Sequence, residues 1–468
     1  MTQPYPPGDL EAGSYYYGIS SCPRLVARTS SDPFVLRIET QHPVPKRFDP
    51  VGSHKIVSLW NNDGPLRTQI LEVVEELQWN AIDILRLGYD PDDKPVTMLI
   101  SIDSGSADWS TAIRVALRCR EILCRHGVEL EVEIKESRIF PAVGHHPLTS
   151  DPVEEPEEAT IHHSEMIGTS IATGKNPDIE GTKGVYLRLK SGDILSLTCR
   201  HVIFNGEPNL EYRHQDSAPR TVIQPGNTTL EMGIERVKDL LDNREMDAAN
   251  RARKMDLDAV AAEKNRLKAL LARMEGEKTS VELRRIGHVR FSPKYAITKS
   301  HGLQRFRDWA LIELYQDKHQ TPIEALKNVA WAEDCREAFR VMAKSSRKSV
   351  KEIPFTIQYE DNNRVKLEGH FTDAELQKPH FESPGLDLDL DVNIMVVAKY
   401  GQTTGFSFSN KGDSGACIWD MQGRAVGMII AGVGSPEARE QTFDVTYVTP
   451  MEWLLEDIRA HGFDVEVA

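Results

Sequence analysis

Apolar positions change their period twice along the chain, and the changes divide it into regions. In the first 140 residues, Leu66, Ile70, Val73, Val74 and Leu77, then Ile113, Ala116, Leu117, Ile122 and Leu123, recur at helical spacing. Amphipathic helices are therefore expected over Pro65–Trp79 and Trp109–His126. Around them Lys55–Trp60, Ala81–Leu87, Val96–Ile102 and Val128–Glu136 read as strands, with Asp90–Lys94 as a turn. The order β-α-β-β-α-β predicts a ferredoxin-like split βαβ sandwich, an N-terminal α/β domain over residues 1–140. Ser104-Gly105-Ser106 lies between Asp103 and Asp108, which read as a strand exit and a helix cap.

From residue 141 to 163 the periodicity stops. Four prolines, five acidic residues and two His-His pairs fill that stretch, a composition suited to a solvated interdomain linker. Adjacent histidines project in different directions, so no metal site is expected there. Beyond it, over residues 164–468, short strands between turns dominate: Val185–Lys190, Ile194–Thr198, Trp309–Leu314, Ile353–Tyr359, Val365–Phe371, Ile394–Tyr400, Ala425–Ala431 and Phe443–Val448. Ser191-Gly192-Asp193 is a hairpin turn and Pro450–Ala460 a closing helix. The count suits two packed antiparallel barrels.

One stretch interrupts this β pattern. Ile234–Glu275 has no Gly or Pro and is bracketed by Gly233 and Gly276. A single helix of that length would span ~63 Å, too long for both ends to rejoin a barrel. A helical hairpin turning near Asp242–Asn250 is expected instead, within an insertion over 229–278 that carries eleven acidic and eleven basic residues. It serves as a dimerisation arm, as a partner's docking site, or as an insertion packed only on itself.

Composition narrows the function classes. With 468 residues and a net charge of −15, the chain is long enough for two or three domains and repels polyanions, which disfavours nucleic acid as a partner. No apolar run approaches the roughly 18 residues of a membrane span, and the first residues do not read as a secretory signal. Six cysteines lack any repeated pair spacing, so neither a disulfide framework nor a zinc site is suggested, and no cofactor is called for. A reducing, cytoplasmic setting is the expectation.

Candidate chemistry sits in the β-rich half. Gly412-Asp413-Ser414-Gly415-Ala416 places a serine in a glycine-flanked turn, where the amides of Gly412 and Ser414 can converge on an oxyanion. A serine nucleophile needs a base, and the base needs a carboxylate to orient it. Leu197-Thr198-Cys199-Arg200-His201 supplies a histidine where a strand runs out; Asp308-Trp309-Ala310-Leu311 supplies an aspartate before a buried strand. An α/β-hydrolase would order these residues serine, acid, histidine, and only His461 follows Ser414.

In the order His201, Asp308, Ser414, with their flanking residues, the chain resembles the chymotrypsin-like (trypsin-fold) serine peptidases over roughly 168–459. Tyr400-Gly401-Gln402-Thr403-Thr404-Gly405 resembles a stretch before the nucleophile in some relatives, and 423–432 a strand lining the specificity pocket. The resemblance implies a double β-barrel and an endopeptidase acting on protein or peptide substrates. In it His201 is general base, Asp308 its orienting partner, Ser414 the nucleophile, and Gly412 and Ser414 the oxyanion donors. It also implies a pocket with Phe408 at its base and Ala431, Gly432 and Val445 near its walls, none acidic, hence an apolar residue before the scissile bond.

Departures from that family are informative. Val202 stands where secreted relatives carry a cysteine, and Ala416 replaces a glycine. Zymogen-type relatives pair the aspartate corresponding to Asp413 with a new N-terminus. Here cleavage near Glu165–Ile167 would create one, another cation would substitute, or the site would stay collapsed until a partner binds. The rival to an enzyme is a catalytically latent peptidase fold, a sensor that recruits partners through the helical hairpin and N-terminal domain.

Overall fold

The computed structural model describes residues 3–52, 54–61, 64–89, 94–143, 158–215, 219–251, 257–300, 302–332, 364–377, 397–399, 409–435 and 443–468. The chain is multidomain and mostly β-sheet, with a curled sheet and several helices. No helix among the described residues is long and apolar enough to cross a membrane.

The first unit is a five-stranded sheet in the order Leu25–Arg28, Glu131–Glu136, Val96–Ile102, Trp79–Tyr89, Lys46–Asp49. Val96–Ile102 is buried along its whole length because alternate residues face two cores. Val96, Met98, Ile100 and Ile102 meet the helices Pro65–Val74 and Trp109–Arg125, whereas Leu99 meets Tyr16 and Ile19 near the N-terminus. Asp108 caps the longer helix by accepting from the Thr111 amide at 2.7 Å, as its place in the sequence suggested.

The ferredoxin-like order is not what forms. Lys55–Trp60, expected as a strand, contains the one-turn helix Ile56–Leu59; Ile56 is buried while Val57 is exposed, so the apolar run meets the core on one side only. Lys46–Asp49 pairs with Trp79–Tyr89 instead. A split βαβ would also put a strand between the two strands joined by the second helix, yet Val96–Ile102 and Glu131–Glu136 pair directly and in parallel. The expected turn at Asp90–Lys94 lies mostly outside the described residues.

The second unit begins with a nine-stranded antiparallel sheet. Gly181–Thr182 pairs with Ser170–Thr173 at one end of its strand order, and Tyr186–Leu189, a few residues on, pairs with Ile194–Thr198 near the other end. One continuous piece of chain thus touches both ends of the order, and the sheet curls. Gly192, at φ +99°, makes the hairpin turn between Tyr186–Leu189 and Ile194–Thr198. Tyr212–Arg213, Thr221–Ile223, Arg285–Ser292, Ala310–Leu314 and Val465–Val467 complete this sheet.

A five-stranded sheet follows, in the order Val397–Lys399, Cys417–Asp420, Ala425–Gly434, Val445–Pro450, with Arg138–Pro141 also paired to Ala425–Gly434. Apolar side chains from both sheets and from the closing helix Met451–Ala460 form one buried cluster, including Leu197, Trp309, Trp419, Met428 and Leu454. The expected strand Ile353–Tyr359 lies outside the described residues.

The insertion forms two helices, Asn227–Arg251 and Leu257–Thr279. Residues 242–251 continue the first helix, so no turn forms where it was expected; residues 252–256 lie outside the described residues. Leu230, Ile234, Val237, Leu240 and Leu241 share a core with Leu267 and Met274, which spends both apolar stripes inside the pair. The buried Glu180 carboxylate receives the Thr229 amide at 3.1 Å and the Ser170 hydroxyl at 2.8 Å, anchoring the first helix to the sheet.

The stretch expected as a solvated linker is structured at both described ends. Pro141 closes a strand and Ala142 is fully buried, while Glu158–His163 forms a 3-10 turn. The second histidine pair is not solvated: His162 Nδ1 accepts from the Ser170 amide at 3.0 Å, and burial pulls its imidazole down to about 3. His163 lies 3.1 Å from Glu277. His145 and His146 lie outside the described residues.

Candidate active site

Strand register brings the first two site residues together. Thr198 pairs with Ala310, so a histidine three residues past the first strand and an aspartate two residues before the second fall at the same sheet end. His201 sits on the single turn Arg200–Ile203 and its amide donates to Asp308 Oδ1 at 3.1 Å. Its Nδ1 is 2.5 Å from Asp308 Oδ2 and its Nε2 2.5 Å from Ser414 Oγ. A carboxylate accepts, so the ring proton belongs on Nδ1 and Nε2 accepts from the serine hydroxyl. All three residues are buried.

Ser414 comes from the other sheet, on a turn that only glycine could shape. Gly412 and Gly415 adopt φ of +103° and +96°, and a Cβ on Gly415 would stand 2.2 Å from the Thr182 carbonyl. Thr182 clasps this turn: its amide donates to the Ser414 carbonyl at 2.7 Å and its hydroxyl to the Gly412 carbonyl at 2.8 Å. Serine and histidine, carried by different sheets, are thereby held in register.

Under the turn, Asp413 is fully buried and Lys399 Nζ lies 2.6 Å from its Oδ2, which also receives the Asn410 amide at 2.9 Å. The cation beside Asp413 is thus a lysine of the neighbouring strand Val397–Lys399, in the same five-stranded sheet. The Ile167 amide donates to the Val329 carbonyl at 3.0 Å. Nothing in the local sequence around Lys399 marks it for this place; only the pairing of Val397–Lys399 with Cys417–Asp420 brings it there.

The two proposed oxyanion donors point at one atom. The Gly412 and Ser414 amides donate to the Ala142 carbonyl oxygen at 2.7 and 2.8 Å. Beside it the Ala142 amide donates to the Ile430 carbonyl at 3.4 Å, and Pro141, Phe140, Ile139 and Arg138 run antiparallel to Ala431, Gly432, Val433 and Gly434. Ala142 shares an apolar cluster with Ala416, Ile429, Val426 and Phe443.

Of the residues expected to line a pocket, Ala431 and Gly432 are in this groove, opposite Pro141 and Phe140. Val445 pairs with Val433 one strand further out. Phe408 lies outside the described residues. Sequence reasoning missed Phe443, whose ring packs against Gly432 so closely that a Cβ there would meet it at 2.2 Å. It also missed Ile430, whose carbonyl accepts from the Ala142 amide and lies 3.3 Å from Ser414 Oγ.

Cys199, His201 and Asp308 bring three possible ligand atoms within 4.8 Å of one another. The donor set fits a metal poorly. Burial, then the neighbouring Asp308, pushes the Cys199 thiol well above its ordinary range, and His201 Nδ1 is engaged by Asp308. The arrangement is better suited to moving a proton from the Ser414 hydroxyl to the imidazole as the oxygen adds to a carbonyl carbon. No protein-family model matches the chain, and no curated protein matches it.

Proposed function

We propose that the chain is a serine endopeptidase that hydrolyses peptide bonds through His201, Asp308 and Ser414. The observation that carries this reading is the continuous hydrogen-bonded run from Asp308 through His201 to Ser414, beside two amides that converge on a single carbonyl oxygen. In this reading the curled sheet and the five-stranded sheet correspond to the two barrels of the chymotrypsin-like fold, with the cleft between them. Lys399 substitutes for the cation that zymogen-type relatives obtain by cleavage.

The chemistry follows from the positions. Ser414 Oγ adds to the substrate carbonyl carbon while His201 Nε2 takes its proton, and Asp308 holds the Nδ1–H tautomer and stabilises the imidazolium. The Gly412 and Ser414 amides bind the oxyanion, each donor contributing on the order of 10²–10³ in rate. The proton passes from His201 to the leaving nitrogen, and water then hydrolyses the ester with His201 again as base. Substrate enters as a strand against Ala431–Gly434, with a small apolar residue in the pocket bounded by Phe443. Five described cysteines are unpaired, which fits action in a reducing compartment such as the cytoplasm.

A second reading has its own observation. The oxyanion donors are already occupied by the chain's own Ala142, as in a latent site that waits for a partner. A fluorophosphonate probe with intact-mass readout, on the full chain and on Ser414→Ala, separates the cases. Labelling confined to Ser414 together with hydrolysis of small-residue peptides supports the peptidase. Hydrolysis undiminished in Ser414→Ala overturns it, and a folded chain that does not label favours latency.

A further inference from the structure

Residues 138–143 are placed as a substrate would be. The strand Arg138–Pro141 adds to the free side of Ala425–Gly434 beyond the stretch that Cys417–Asp420 covers. At its end the Ala142 amide reaches the Ile430 carbonyl, the Ala142 side chain is fully buried in the apolar cluster, and its carbonyl oxygen lies between the two amides of the nucleophile turn. Ser414 Oγ belongs to that same turn and contacts the same Ile430 carbonyl at 3.3 Å. A carbonyl held by both oxyanion donors is where a bond about to be cut must lie.

We propose that the chain cuts itself between Ala142 and Val143, and that residues 1–142 then stay seated in the groove as bound product. The inference rests on the serine peptidase reading. Ser414 Oγ bonds to the Ala142 carbonyl carbon and its proton passes to His201 Nε2. The carbon–nitrogen bond to Val143 breaks, and His201 delivers the proton to the Val143 nitrogen, leaving Ala142 esterified to Ser414. Water supplies hydroxide to that carbonyl carbon and returns a proton through His201 to Ser414 Oγ. The products are a carboxylate at Ala142 and an ammonium at Val143.

Other contacts outlast the cut and hold the pieces together. The Tyr447 hydroxyl donates to Asp83 at 2.9 Å and the Ser21 amide to Asp444 at 2.7 Å, both bridging the two units. The paired strand Arg138–Pro141 remains on the N-terminal piece. Cleavage therefore makes release of residues 1–142, and so access to the groove, reversible and open to control by whatever binds the N-terminal unit. The small pocket also sets specificity: Ala142 fits where Phe443 packs against Gly432.

The test uses the full chain, purified and incubated over days, with intact mass and N-terminal sequencing. Two fragments that co-elute on gel filtration, the larger beginning at Val143, are expected. Ser414→Ala stays whole, and Val143→Pro, which puts a tertiary amide at the bond, is cut at least tenfold more slowly. Wild-type protein added in trans leaves Ser414→Ala whole, because the strand already fills its own groove. A wild-type chain that keeps its full mass, or is cut at another bond, overturns the proposal. Ala142→Glu, which cannot seat a charge in the apolar pocket, then separates the causes. If it labels with fluorophosphonate at Ser414, the strand is an uncut plug and the peptidase reading survives. If it is folded by circular dichroism and does not label, both readings fail.

Discussion

Replacing Lys399 with methionine tests whether the turn carrying Ser414 depends on a buried ion pair. The substitution keeps the length and apolar stem of the side chain and removes only the charge that lies 2.6 Å from Asp413 Oδ2. Asp413 is fully buried, and the Asn410 amide still donates to its Oδ2 at 2.9 Å. At an effective dielectric constant of 20 the lost attraction is ~6 kcal/mol, and truncating one partner of a buried pair costs about 3–5 kcal/mol. That cost falls on the turn carrying Ser414, because the Ala416 amide donates to the Asp413 carbonyl and the Gly415 amide to Ile429. Native-state hydrogen exchange at Gly415 and Ala416 reads the local opening. The expected acceleration in Lys399→Met is roughly 100- to 4,000-fold, since about 1.4 kcal/mol is a factor of ten. Fluorophosphonate labelling should slow by a similar factor as the Gly412 and Ser414 amides lose their alignment. Adding Asp413→Asn removes the charge that has lost its lysine and should recover most of the exchange protection. Exchange and labelling in Lys399→Met within a few-fold of wild type would refute the reasoning, because the carboxylate would then be supported by something other than that lysine.

Three further substitutions probe different links. Lys183 is buried with its ammonium 2.9 Å from Gln224, and burial pulls it down to about 7 from 10.5. Below about 7 the folded state carries a buried charge at full cost; between about 7 and 10.5 the unfolded chain binds a proton that the folded chain does not, so stability rises with pH. The rise is at most ~1.4 kcal/mol per pH unit, and Lys183→Met should flatten it in calorimetric scans from pH 6.5 to 9.5; a slope unchanged in the variant would count against the buried charge. Gly415→Ala forces a side chain onto the Thr182 carbonyl at φ +96°, and should abolish labelling of Ser414 while lowering the melting temperature. Wild-type labelling there would mean that the turn relaxes freely. Glu180→Ala removes the acceptor for the Thr229 amide and the Ser170 hydroxyl, so exchange over 229–237 should rise by about 1–3 kcal/mol of lost protection, leaving labelling of Ser414 intact.

What could be read from the sequence was local. His201, Asp308 and Ser414 each sit at a strand end or in a glycine turn whose chemistry is written in four or five adjacent residues, and the structure brings all three within hydrogen-bonding reach. The helices Trp109–Arg125 and Met451–Ala460 carry a strong 3.6-residue stripe, and the insertion betrayed itself by lacking Gly and Pro. Short apolar runs were ambiguous. Lys55–Trp60 has strand-like residues but too few to distinguish a strand from one helical turn, and that loss changed the topology of the whole N-terminal unit. Arg285–Ser292 escaped notice because Gly287, His288 and Arg290 interrupt its apolar pattern, though the strand is mostly buried. Lys399 and Val465–Val467 gain their roles from pairing with distant segments, which no local window contains.

The strand Arg138–Pro141 is the element whose meaning depends most on what it pairs with. In isolation it reads as the end of a domain running into a linker, with mostly exposed side chains. Against Ala425–Gly434 it solves a physical problem, because Cys417–Asp420 covers that strand only as far as Met428, and the backbone groups from Ala431 onward would otherwise be a bare sheet edge beside the cleft. An extended peptide substrate would satisfy the same groups in the same way. Stability of the unoccupied edge and access to the groove are therefore opposed, and every hydrogen bond that seats the N-terminal unit must be broken before another peptide can replace it. The N-terminal unit is thus coupled directly to the groove beside Ser414, through the strand that occupies it, with no need for a signal transmitted through the core.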